Sequence, residues 1–418
     1  MEEKKCKVCS KKSSGKYVYC SECYTNIKTN YSIFNTIQKE WKLEAKQEDA
    51  KYFYFVNEVE AILSGEKSMV IGRKGEGKTA LAQYIYSQSN CNVFTEKMTF
   101  KNFPFNIIYS LIDKNFTRPN QYISIWKYLI YTTICKQMIK NQNIDKEITN
   151  QLTKIFPITD KNNNLSRLIE TYTIKDFGFQ IMSSGVNISR EKVKTEISWI
   201  EAIDIFEDTI RNYIDDAKYY IVFDELDEDY KEFRDEQERT NYFDMLTGLF
   251  KAIQDVRYLF EDQNKNIFPI VFLRTDIYNQ ITYSDKNKWS DSIINIIWTP
   301  DKLKELIRHR LNILCGTKSL SFDECWRQIF GSGKLGYGLR KYKSMSSFEY
   351  ILRSTQNRPR DFIKYFQECA KQALNSNALL VTPKLVREAD NEFSEYMKRE
   401  IIDEMYAVLP EYEDIFSI

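Results

Sequence analysis

The chain has one histidine in 418 residues, and that scarcity excludes more than any other feature of its composition. With His309 alone, a histidine-rich catalytic metal centre is ruled out, and a serine or cysteine triad would have to recruit this one side chain. His309 lies in "KELIRHRLNIL", a helical pattern flanked by arginines, which gives it an ordinary packing or surface role. Net charge is also missing. Lys plus Arg total 60 against 59 for Asp plus Glu, so no overall field draws in a polyanion or an anionic membrane, and any nucleic-acid contact has to be local. No apolar run approaches the roughly 20 residues that span a bilayer, and the start "MEEKKCKVC" holds no signal-peptide core. The expected location is the cytoplasm.

What is present is a globular composition, 43% hydrophobic and 14% aromatic, enough to fill the cores of two or three domains. Nine cysteines fall into two groups. Cys91, Cys135, Cys315, Cys325 and Cys369 are scattered through apolar or mixed segments and read as small hydrophobes in a reducing compartment. Cys6, Cys9, Cys20 and Cys23 form two CxxC pairs around "SSGKYVY", and four thiolates satisfy tetrahedral Zn2+. Residues 1–30 are therefore expected to be a small zinc ribbon, stabilised mainly by its metal. Seven lysines against three glutamates in that stretch permit nucleic-acid binding, but equally a solvated surface that docks on protein.

The segment 31–64 has helical spacing, "SMVI" is a short apolar strand, and "TALAQYIYSQ" is helical. Between strand and helix lies "GRKGEGKTA". Gly72, Gly77, Lys78 and Thr79 satisfy G-x-x-x-x-G-K-[ST], Gly75 adds flexibility, and Ala80 follows. Backbone amides of such a loop and the following helix N-terminus wrap the phosphates of ATP; Lys78 neutralises phosphate charge and Thr79 offers a hydroxyl to Mg2+. A second acidic element follows the buried strand "YYIVF". Asp224 emerges at its C-terminal edge, where α/β sheets place ligands, as the expected second contact to magnesium. Glu225 is the candidate that orients the attacking water, with Asp227 as competitor. The strand "PIVFLRTD" would lie between the loop strand and the Asp224 strand if the chain is similar to many ring-forming ATPases, and its end offers Arg274, Thr275 and Asp276 as γ-phosphate sensors or helix caps. From Thr299 onward the chain turns helical, opening with a Thr cap and a Pro at the first position. Arg360 in "NRPRDFI" starts a helix from which a cation reaches a nucleotide, and Arg308 and Arg310 are candidate arginine fingers. The interval 95–200 carries an amphipathic helix "SIWKYLIYTTICKQMIK", a hairpin near "DFGFQIMSSGVNIS" and a helix facing inward through Ile203, Phe206, Ile210 and Ile214, but no catalytic motif.

The order "GRKGEGKTA", "IVFDELDE", "FLRTD", "WTPDKLKELIRHRL", "NRPRDFI" resembles bacterial P-loop ATPases of the AAA+/STAND group over residues 45–400. The resemblance implies an α/β fold with a parallel-sheet ATPase core and a C-terminal helical lid, with Arg360 as lid sensor. The domains are then 1–30 zinc ribbon, 31–298 core with an inserted region at about 95–200, and 299–418 lid. It further implies a Mg2+-dependent ATP hydrolase acting as a conformational or assembly switch, with a protein effector or sensor partner and a place in anti-phage defence; a homo-oligomer fits as well. Two alternatives stand beside it. One is a nucleic-acid-dependent ATPase of the initiator or loader kind that uses the zinc ribbon; the other is a zinc-bearing adaptor that binds ATP without hydrolysing it.

Overall fold

A computed structural model describes residues 21–56, 58–100, 105–156, 177–178, 196–197, 199–227, 230, 235–316, 320–337 and 343–406. The zinc-ligand set falls largely outside them. Only Cys23 is reached, in the first turn of the helix Ser21–Glu40, and nothing is described of its side chain. The chain divides into two compact units, one containing residues 56–73 and 78–296, the other residues up to 55, 74–77 and 297 onward.

The first unit is α/β. Its strands are β1 (Met69–Gly72), β2 (Val93–Thr99), a two-residue antiparallel pair β3 (Phe177–Gly178) and β4 (Glu196–Ile197), then β5 (Lys218–Asp224), β6 (Ile267–Arg274) and β7 (Ile293–Asn295). The main sheet runs β2-β5-β6-β1-β7 with every neighbouring pair parallel. β6 thus lies between β1 and β5, as "PIVFLRTD" was expected to. β1 is buried throughout and β5 is buried after Lys218, which is why both read as continuous apolar runs and not as alternation. β2 belongs to the sheet although it falls near the start of the interval expected to be an insertion.

The helix Ile123–Lys140 differs from its amphipathic reading. Both its apolar residues and Ser124, Thr132, Thr133 and Gln137 are buried. Burial of these polar groups is tolerated because each has a partner: the Thr132 and Thr133 hydroxyls donate to the carbonyls of Tyr128 and Leu129, Gln137 Nε2 donates to Tyr220 O at 2.9 Å, and Ser124 Oγ donates to Asp113 Oδ2 at 2.7 Å. The helix Trp199–Tyr213 does bury Ile203, Phe206 and Ile210, and Ile214 just beyond its end is buried too.

The second unit is helical, with the antiparallel pair β8 (Leu335–Tyr337) and β9 (Lys343–Met345). Its helices include Ser21–Glu40, Pro300–Leu314, Phe322–Ile329, Ser347–Thr355, Pro359–Asn375 and Pro383–Tyr406. Thr299 caps the second of these by accepting from Lys302 N at 3.2 Å, while Ser321 and Ser346 each form a capping box with a glutamate three residues on. Residues 31–55, assigned from sequence to the ATPase core, pack here instead. Phe34, Ile37, Trp41 and Tyr52 share one aromatic-rich core with Leu303, Ile307, Trp326, Phe330 and Phe366. The apolar spacing announced a buried face; it did not say which partner would cover it. Cys325 and Cys369 are buried here and Cys135 in the first unit, as expected, whereas Cys315 is half-buried and Cys91 exposed.

Arg310, a candidate finger, is buried at this core. Glu48 accepts from both its terminal nitrogens, at 2.6 and 2.7 Å, and its guanidinium lies 5.5 Å from the Trp41 ring centre and 5.7 Å from that of Tyr52. Arg308 is half-buried at the surface with Glu305, 2.6 Å away. His309 Nε2 meets Lys51 O at 3.0 Å, a packing role. Removing the Glu48 carboxylate strands a buried cation, so Glu48→Ala is expected to destabilise this unit by about 3 kcal/mol. Arg308→Ala should change stability by less than about 0.5 kcal/mol; denaturant unfolding of the two variants beside the parent checks the contrast.

Candidate functional site

β1 ends at Gly72, and the chain turns through Arg73–Gly77 into the helix Lys78–Ser87. Gly75 and Gly77 adopt φ of +83° and +92°, a region that a side chain disfavours. A Cβ on Gly77 would meet nothing within 4 Å, so glycine is needed there for its backbone and not for crowding. Lys78 is folded back on its own loop: its Nζ donates to Gly72 O at 2.8 Å and to Arg73 O at 2.9 Å. Thr79 and Ala80 follow in the first turn, half-buried. The turn therefore has the strand, open glycine backbone, helix N-terminus and lysine that a phosphate group requires.

The acidic element stands at the same, C-terminal end of the parallel sheet. Phe223 is level with Val271, and Val271 with Met69, so Asp224 lies one residue further along, two strands from β1, or about 10 Å at the usual strand spacing. Asp224 is buried, with Oδ2 at 2.8 Å from Lys97 Nζ of β2. Glu225 is bent into the left-handed region at φ +62°, which costs a non-glycine residue about 1 kcal/mol. Two contacts fix it there. Its carboxylate accepts from the Thr99 hydroxyl, and the next residue, Leu226, is buried with its carbonyl accepting from Tyr242 OH at 3.0 Å.

Arg274, the last residue of β6, is buried between two carboxylates. It donates to Asp276 Oδ1 and Oδ2 at 3.1 and 2.6 Å, and Asp227 Oδ2 lies 3.5 Å from its Nη1. Asp227 thus stands beside a buried cation, while the Glu225 carboxylate accepts from the Thr99 hydroxyl. Thr275 opens the short helix Thr275–Gln280. Sequence reading missed Lys97 and Thr99, because β2 bears no motif. The one signal available was polar residues inside an otherwise strand-like run, "VFTEKMT".

In the helical unit, residues 74–77 have their own partners. Arg360 N donates to Gly75 O at 3.4 Å, Trp298 Nε1 to Glu76 O at 2.9 Å, and Lys74 Nζ lies 3.0 Å from Glu400. The Arg360 guanidinium pairs with Glu44 at 3.1 Å. Arg358 donates to both carboxylate oxygens of Glu404, at 2.7 and 3.0 Å. Beside it, burial pushes the Asp361 carboxyl up to about 6; Arg358 and a hydrogen bond from Tyr396 OH oppose this, and Glu400 and Glu404 add to it.

Residues 301–402 match the FunZ-associated C-terminal helical domain family. No curated protein matches the chain. Among solved structures, Cdc6p from Pyrobaculum aerophilum is 11% identical over 83% of this chain and 71% of its own, with a TM-score of 0.35. The Walker-type ATPase of Pyrococcus abyssi is 11% identical over 87% and 78%, at 0.37. The ORC1 protein of Aeropyrum pernix, solved in complex with DNA, is 11% identical over 88% of this chain but 64% of its own, at 0.32. At these TM-scores the likenesses decide nothing about activity or partner. No described helix is long and apolar enough to cross a membrane.

Since the Asp361 carboxyl is ordinarily near 3.8, the folded chain holds an extra proton between about 4 and 6, and stability from this group rises as pH falls through that window. Asp361→Asn removes the dependence. Urea unfolding at pH 7 and pH 5 should show the parent gaining stability relative to this variant at the lower pH; an equal change in both would refute the assignment.

Proposed function

We propose that this protein is a Mg2+-dependent P-loop ATPase working as a conformational or assembly switch. The observation that carries the reading is that one end of one parallel sheet bears both the glycine turn after β1 and the Asp224–Glu225 tip of β5. The amides of Gly72–Thr79, with Gly75 and Gly77 in open conformations, would hold the phosphates of ATP, with Ala80 at the same helix start. Lys78 would leave the carbonyls of Gly72 and Arg73 for phosphate oxygens. Thr79 and Asp224 are the residues that would hold Mg2+, a donor set suited to an ion that keeps most of its waters and takes one or two carboxylates plus phosphate. When bound, the ion neutralises charge on the transferred phosphoryl group.

Glu225 would orient the attacking water. Its backbone, held at a positive φ, and the hydrogen bond it accepts from Thr99 aim the carboxylate, which would take a proton from that water. Arg274 and Arg360 are the candidates that sense the γ-phosphate, with Thr275 and Asp276 beside the first. The switch reading is supported by the pairing of Gly75 and Glu76 with Arg360 and Trp298, which ties the loop tip to helices that a filled loop would have to accommodate.

The AAA+/STAND resemblance extends this to a bacterial anti-phage system with effector and sensor on partner chains, in which the chain itself assembles as a homo-oligomer. Four thiolates at Cys6, Cys9, Cys20 and Cys23 are the right donor chemistry for Zn2+, as a ribbon that docks on protein or nucleic acid. Lys78→Ala is expected to abolish ATP binding, whereas Glu225→Gln retains bound ATP and slows turnover by roughly a hundredfold or more. Isothermal titration with Mg-ATP and a phosphate-release assay read the two. Unchanged hydrolysis in Glu225→Gln removes that residue from the mechanism, no ATP affinity in the parent ends the reading, and turnover stimulated by DNA or RNA with steep salt dependence moves it to the nucleic-acid-dependent class.

A further inference from the structure

Lys97 is an unusual residue to find inside a sheet. It lies on β2 level with Val222, while Thr99 lies level with Asp224, so Lys97, Thr99, Val222 and Asp224 share one face. The Lys97 and Asp224 side chains are 8% and 4% exposed, and their charged atoms are 2.8 Å apart. Neither Lys97 Nζ nor Asp224 Oδ2 makes an aligned hydrogen bond within the described residues. The contact is therefore a close ionic one, set by charge and not by directional bonding, with capacity on both sides for another ligand. Two cations cannot both hold one buried carboxylate at close range without repelling each other strongly.

We propose that Lys97 is a positioning residue that acts as the resident counter-ion of Asp224, and that a divalent cation arriving with nucleotide takes its place. This rests on Asp224 being the magnesium carboxylate. With Lys97 in place, Asp224 is already neutralised, so Mg2+ alone has little to gain there and the site fills only when phosphate oxygens supply further ligands. Lys97 thereby couples cation uptake to nucleotide.

The test uses the full chain without nucleotide, so that its outcome is independent of ATP binding. Thermal midpoints are measured in MgCl2 and in KCl of equal ionic strength. The parent and Lys97→Arg should respond equally to both salts. Lys97→Met, which leaves Asp224 uncompensated, should melt lower in KCl and be raised by several degrees in millimolar MgCl2, corresponding to cation affinity roughly tenfold or more above the parent. Lys97→Met/Asp224→Asn should lose both the defect and the response. A Lys97→Met protein no more sensitive to Mg2+ than the parent overturns the proposal, as does a parent that already responds as strongly. If Lys97→Met fails to fold in either salt while the double variant folds, a cation does not replace the lysine and the proposal also falls. A second measurement needs no variant: amine acylation of the parent should leave Lys97 unmodified alone and modify it once Mg2+ and a non-hydrolysable ATP analogue are shown to be bound. Continued protection in that sample refutes the exchange.

Discussion

A carboxylate stands at the end of a strand that is buried almost along its whole length, and a charge in that position has to be matched. Asp224 is matched from β2 by Lys97. One strand away the same demand is met in mirror image, where the Arg274 cation is buried and the carboxylates of Asp227 and Asp276 surround it. Burial makes each of these pairs costly to break from one side only. The C-terminal end of the sheet is thus a short array of alternating charges, and beside it Glu225 is bent to a positive φ and accepts from the Thr99 hydroxyl. In the proposed mechanism the two neighbouring acids have different work: Asp224 would hold a cation and Glu225 would take a proton.

The glycine turn obeys a different constraint, conformational and not electrostatic. Its open φ angles are available to glycine at little cost. Its lysine rests on the carbonyls of the loop itself. These side chains are matched within the protein itself: Lys78 on loop carbonyls, Lys97 on Asp224, Thr99 on Glu225. In the proposed mechanism phosphate, magnesium and water would take over these contacts. Occupation of the site would exchange contacts, and little buried charge would be left unmatched in either state.

Much of this could be read from the sequence, and the parts that could not share a cause. Every residue of the loop, the strand before it and the helix after it were legible because their signals lie within a dozen residues. The tip at Asp224 was legible from the apolar run that ends there. The capped start of Pro300–Leu314 was legible from Thr299 and Pro300. Lys97 and Thr99 were not, because a lysine and a threonine inside a strand are unremarked until the register shows what they face. The segment 31–64 was recognised as helical from its apolar spacing, yet its Ile33, Phe34 and Ile37 pack in the helical unit, since an apolar stripe is complementary to any other apolar surface. Ile123–Lys140 was taken as amphipathic, yet its Ser124, Thr132, Thr133 and Gln137 are buried and bonded to carbonyls and to the Asp113 carboxylate.

Local chemistry alone settled the phosphate-type turn, the apolar strands, the helix caps and the exclusion of histidine chemistry, because backbone preference and hydrophobic period act between near neighbours. Tertiary structure alone decided the strand order, the counter-ion of Asp224, the different partners of Glu225 and Asp227, and the burial of Arg310 against Glu48. Those depend on which distant segments are brought together. Electrostatic matching in a buried place is a property of the assembled pair, and no single stretch of chain carries it.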